Sequence, residues 1–117
     1  MGHNHQLLED LSVPTKGLAE AAPEVMAAFG KLHGAAMADG EISVAVKEAA
    51  ALAISVVKHC DGCIAYHARA AAKAGATPGQ VAEMLGLAVL MEGGPATVYG
   101  PRAWEAYQEF AAELAAA

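Results

Sequence analysis

Apolar residues recur at three- and four-residue steps along most of this 117-residue chain, the spacing of helices with one buried face. Behind Pro23, which suits the first turn of a helix, Val25, Met26, Phe29, Leu32, His33, Ala36 and Met37 keep that step until Asp39-Gly40 stops it. A second helix is expected behind Ser43 as N-cap, with Val44, Ala45, Lys47, Glu48, Ala51, Leu52, Ile54 and Ser55 inside it. Beyond Lys47 and Glu48 it is apolar on nearly all sides up to Val57, which predicts burial all round. A third helix runs from about Asp61 to Ala74 and ends at Gly75, a residue suited to the left-handed position past a C-terminus. Thr77-Pro78-Gly79-Gln80 reads as a capping box and opens a fourth helix carrying Val81, Met84, Leu85, Ala88, Val89 and Met91. A fifth begins near Pro95, with a break allowed at Gly100-Pro101, and continues through Trp104, Tyr107, Phe110 and Leu114.

Residues 1–22 are weakly periodic and hold several breakers, so an arm with a short helical piece is expected, followed by a single domain over 23–117. The opening Met1–His5 reads as much like an expression scar as native sequence. No segment alternates as a strand would, so the fold class is all-α, with five to six helices. Met26, Met37, Met84 and Met91 are expected as core filler, and Trp104, Tyr107 and Phe110 as core or interface.

Composition sharpens this picture in two ways. Hydrophobic residues make up 56% of the chain but aromatics only 5%, more apolar surface than one small core can hide, which implies subunit interfaces. Seven basic against thirteen acidic residues give a net charge of −6 with no basic stripe, which argues against nucleic acid as a partner. No apolar leader opens the chain, and the longest uncharged apolar run, Ala49–Val57, is too short for a membrane span. A cytoplasmic protein without a membrane partner is the expectation.

The chemistry gathers at Cys60-Asp61-Gly62-Cys63. Two cysteines three residues apart at a helix start lie within the roughly 4.4–6.8 Å Cα separation that a disulfide needs, and free N–H groups there favour a thiolate. His67 follows Cys63 by four residues, one turn on and on the same face, where an imidazole can take up a thiol proton. Glu48 stands in an apolar helix, where an ionised carboxylate is costly unless paired, and an antiparallel packing of the second and third helices would set it against His67. His33 lacks such neighbours and reads as a core residue; His59 is a flank. Zinc on Cys60, Cys63 and His67, with Glu48 or His59 as fourth ligand, lacks the second close-spaced pair of a structural site, so neither metal nor cofactor is expected.

Glu48, eleven residues, Cys60-x-x-Cys63, three residues and His67, with Ala70, Ala74-Gly75-Ala76-Thr77 and Gln80-Val81 after them, resemble the alkylhydroperoxidase D (AhpD)-like branch of the carboxymuconolactone decarboxylase family. The resemblance covers roughly residues 25 to 100. It implies an AhpD-like all-α domain with the C-x-x-C at a helix N-terminus, and an antioxidant thiol peroxidase or a reducer of partner disulfides. By position, Cys63 would be the buried, peroxide-attacking thiolate, Cys60 the exposed resolving thiol, and Glu48 with His67 the proton relay. Implied partners are a hydroperoxide substrate, a lipoyl or thioredoxin-like dithiol donor, and further copies of the chain, a hexamer before a trimer. Helix electrostatics alone would favour Cys60 as nucleophile, and Asp61-Gly62 departs from members with a histidine between the cysteines. A redox-sensing or disulfide-reducing module is the alternative. Lactone decarboxylation is the poorer match, because that branch generally lacks the dithiol.

Overall fold

The computed structural model describes residues 2–117 and folds them into six helices: α1 (His3–Ala21), α2 (Pro23–Met37), α3 (Val44–Val57), α4 (Asp61–Ala74), α5 (Pro78–Glu92) and α6 (Ala96–Ala116). Among the described residues there is no strand, so the class is all-α as the periodicity implies. The ends follow the sequence signals. Ser43 Oγ accepts from Val46 N at the start of α3. Thr77 and Gln80 close both arms of the capping box of α5. Gly75 ends α4 with φ of 87°, a conformation costly for a residue with a Cβ.

Helices α3, α4, α5 and α6 pack against one another around Leu52, Val56, Ile64 and Val81, each under 2% exposed. Burial of each such side chain contributes about 1.5–3 kcal/mol. Alanines at 65, 68, 71, 103 and 106 bring the helix backbones close, and Tyr107 tethers α6 by donating its hydroxyl to the Ala76 carbonyl at 2.6 Å. Helix α1 lies across α4 and α6, while α2 leans on α1 and α3.

Four expectations need correction. Residues 3–21 form one continuous helix rather than an arm with a short helical piece, and Pro14 sits inside it. The cause is tertiary and lies in the opening residues. The Glu109 carboxylate on α6 accepts from Asn4 N, Asn4 Nδ2 and His5 N at 3.1, 3.1 and 2.8 Å, capping α1 from outside. A Cβ on Gly2 would collide with that carboxyl group. Second, α6 runs unbroken through Gly100-Pro101. Gly100 is buried against α5, where an added Cβ would just touch Val89. Third, α3 is not buried all round, since Ile54 is half exposed. Fourth, Met91 is 80% exposed rather than core, beside Leu87 and Leu90 on an uncovered face of α5.

The α1 anchor has opposed pH limits. Burial pushes the Glu109 carboxyl up, but hydrogen bonds from His5 and Asn4 outweigh it and hold the group below its ordinary value. Its stabilisation is therefore in place above the ordinary carboxyl range and is lost as pH falls through the lowered value. His5 is raised, chiefly by its 2.7 Å hydrogen bond to Glu113, so its share is present below its ordinary value and lost as pH rises through the raised one. Hydrogen exchange at the Asn4 and His5 amides, corrected for intrinsic rates, is expected to show most protection in the window between these limits. Glu109→Ala should abolish that protection across the window.

Candidate active site

The site is built on the reversal between α3 and α4. Helix α3 closes with His59 N bonded to Val56 O and Cys60 N to Ser55 O, the pairing of a Schellman motif. His59 occupies its left-handed position with φ of 54°, which costs a non-glycine residue about 1–2 kcal/mol. Two contacts hold it there: its ring stacks on Tyr99 at 4.6 Å, and Nε2 meets Glu92 Oε2 at 2.9 Å. The flank residue of the sequence thus shapes the turn that delivers Cys60 to α4.

Cys60 is the N-cap of α4, its Sγ accepting from Cys63 N at 3.2 Å, and it is joined to Cys63 by a disulfide with Cα atoms 5.2 Å apart. The helix N-terminus thereby points an N–H donor at the Cys60 sulfur, which favours negative charge there. Gly62, in the first turn of α4, leaves room for α1, because a Cβ there would stand 3.0 Å from Leu11.

One turn beyond Cys63, His67 meets Glu48 across the α3–α4 interface, with Nδ1 2.7 Å from Glu48 Oε1. A carboxylate only accepts, so the proton of this bond sits on Nδ1, and in the neutral imidazole Nε2 is left with the lone pair. The Glu48 side chain is 5% exposed and that of His67 19%, so the pair is largely withdrawn from water. A hydrogen bond to a charged group in such surroundings contributes about 1.5–3 kcal/mol.

Cys63 and His67 open onto a pocket of about 440 Å³ between α4, α1 and α2. Its wall is apolar at Met26 and Phe29 and carries Tyr66, whose ring meets His67 edge-on at 5.0 Å. The expected order of exposure of the two cysteines is reversed in the chain: Cys63 is exposed and Cys60 only partly so, since the cap geometry turns the Cys60 sulfur back toward the helix. His33, expected in the core, lines this pocket instead. The sequence signal for it was present: Met26, Phe29, Gly30 and His33 share one face of α2, and His33 is the ionisable residue on that stripe. Among the described residues, no three His, Cys, Asp or Glu side chains converge as metal ligands would.

A family model for the carboxymuconolactone decarboxylase family matches residues 23–109. An uncharacterized protein of Cupriavidus necator is 41% identical over 86 residues, spanning 74% of this chain and 76% of its own. An uncharacterized protein of the cox locus of Paracoccus denitrificans is 30% identical over 101 residues, spanning 82% and 91%. The crystal structure of a carboxymuconolactone decarboxylase family protein from Legionella pneumophila superposes with a TM-score of 0.89 at 36% identity, covering 92% of this chain and 96% of that one.

Proposed function

This chain belongs to the carboxymuconolactone decarboxylase family, and from that premise we propose that it is a thiol-dependent hydroperoxide reductase of the AhpD-like branch. The observation that carries the reading is the 2.7 Å His67–Glu48 pair one turn from the Cys60–Cys63 couple.

In the dithiol state, His67 Nε2 takes the proton of the Cys63 thiol while Glu48 stabilises the imidazolium through Nδ1–H. The Cys63 thiolate attacks the terminal oxygen of ROOH; an S–O bond forms, the O–O bond breaks, and sulfur loses two electrons. The alkoxide leaves as ROH with the proton that His67 holds. The Cys60 thiol then condenses with the Cys63 sulfenic acid, releasing water and closing the disulfide. A dithiol donor, lipoyl or thioredoxin-like, reopens it by attacking the exposed Cys63 sulfur, and Cys60 leaves as a thiolate held by Cys63 N–H. The apolar pocket wall suits an organic hydroperoxide. The uncovered faces bearing Ile54, Leu87, Leu90 and Met91 support assembly with further copies of the chain. A couple that must be re-reduced fits a reducing compartment such as the cytoplasm.

Adding one equivalent of tert-butyl hydroperoxide to the reduced protein should consume the peroxide and remove two titratable thiols per chain, and a dithiol should restore both. Peroxide and thiols left unchanged would rule the reading out.

One observation favours a second reading. Cys63 is exposed in the single chain, so a partner protein's disulfide could reach it directly. A mixed disulfide trapped through Cys63, with no peroxide consumption, would select that disulfide-reducing role. Lactone decarboxylation makes no use of a dithiol and stands last.

A further inference from the structure

His33 Nε2 is buried and has no hydrogen-bond partner on the chain among the described residues. Leaving such a group unpaired costs about 1–3 kcal/mol, so each case in a folded protein calls for an explanation. The surroundings supply one. His33 lines the same pocket as Cys63 and His67, and its ring meets the edge of Tyr66 at 5.8 Å while Tyr66 in turn meets His67. Tyr66 thus props both imidazoles, one from α2 and one from α4, on the walls of a single cavity. They are not equivalent. His67 is committed to Glu48, whereas among the described residues no side chain satisfies His33 Nε2. His33 Nε2 itself is closed to water, so this unspent polar atom, on the wall of a pocket otherwise apolar on its α2 side, meets a polar atom of a ligand when its ring turns toward the cavity.

We propose that His33 is a substrate-binding catalytic residue whose Nε2–H donates a hydrogen bond to the leaving oxygen of an organic hydroperoxide while Cys63 attacks the terminal one. This rests on the peroxidase reading and deepens it. In the step RS⁻ + HOOR → RSOH + RO⁻, charge moves from sulfur to the departing oxygen, two bonds away from the attacking atom. His67 sits on the sulfur side, where it accepted the thiol proton. A second donor across the cavity stabilises the new charge until the proton held by His67 arrives. His33 neither gains nor loses a proton over the cycle. The alkyl group then lies along Met26 and Phe29, on the same face of α2 as His33. The substrate class is an organic hydroperoxide, whose tail these residues would cover.

The test compares two reactions of the pre-reduced protein: with cumene hydroperoxide, which needs a leaving-oxygen donor, and with iodoacetamide, which needs only an accessible Cys63 thiolate. His33→Phe should lower the peroxide rate constant about 10–100-fold, near the low end for loss of one such donor, and leave alkylation within twofold. His33→Gln, which can still donate, should recover most of the peroxide rate. An unchanged peroxide rate in His33→Phe, or equal slowing of both reactions in both variants, would overturn the assignment and leave the peroxidase reading standing. Wild-type protein that is alkylated at Cys63 but does not react with hydroperoxide would remove both.

Discussion

Cys63→Ser is expected to lower hydroperoxide turnover by about 10³-fold or more, the order of loss seen when a nucleophile is removed. A serine hydroxyl placed where the thiol was cannot ionise against an imidazole near neutral pH, so the relay behind it has nothing to activate. Cys60→Ser should behave differently. The nucleophile, its base and the pocket remain, so one equivalent of peroxide is reduced at close to the normal rate and turnover then stops for want of a resolving thiol. Stopped-flow traces with substoichiometric and excess peroxide separate the cases. No reaction is expected for Cys63→Ser, and a single stoichiometric burst for Cys60→Ser. The asymmetry bears on the conflict between helix electrostatics and position. The N-cap geometry makes Cys60 the sulfur best placed to hold negative charge, which suits a leaving group. Proximity to His67 makes Cys63 the sulfur best placed to be deprotonated on demand.

The second large effect is expected at Glu48. Glu48→Gln keeps the shape but replaces a pure acceptor with an amide that can offer a donor to His67 Nδ1, and it removes the charge that stabilises the imidazolium. A loss of about 10²–10³-fold in kcat/KM for peroxide is expected, within the range for general-base machinery. His67→Ala should cost a similar amount, and the double variant little more than either, because the two groups act as one unit. Glu48→Leu separates chemistry from folding. An apolar side chain of similar volume suits the buried face of α3, so the chain should stay folded at a cost of about 1.5–3 kcal/mol for the lost His67 bond, while turnover collapses. If instead activity tracked only the folded fraction, Glu48 would be a structural residue.

Much of this was legible in the chain because local chemistry decides it. The N-caps at Ser43 and Thr77, Pro23 at a first turn and the stop at Gly75 are short-range features, and the helices begin and end where they say. The meeting of Glu48 and His67 was legible for a different reason: a carboxylate in an apolar helix demands a partner, and a short reversal limits the choice. What periodicity could not show is which apolar face finds a cover. Met91 and Ile54 repeat at core spacing yet face outward. The fate of residues 3–21 rests on a carboxylate more than a hundred residues away in sequence, so no local window contains it. The exposure of Cys63 over Cys60 follows from a capping hydrogen bond that spacing alone does not orient. His33 was misplaced because a histidine on an apolar stripe has the same pattern whether it faces a core or a cavity.

Sulfenic acid trapping reads directly which sulfur meets the peroxide. Reduced Cys60→Ser protein treated with one equivalent of hydroperoxide in the presence of dimedone should carry a single adduct, located by peptide mass spectrometry at Cys63. Peroxide consumed with no adduct at Cys63, or a reduced protein that leaves the peroxide intact, would contradict attack by Cys63.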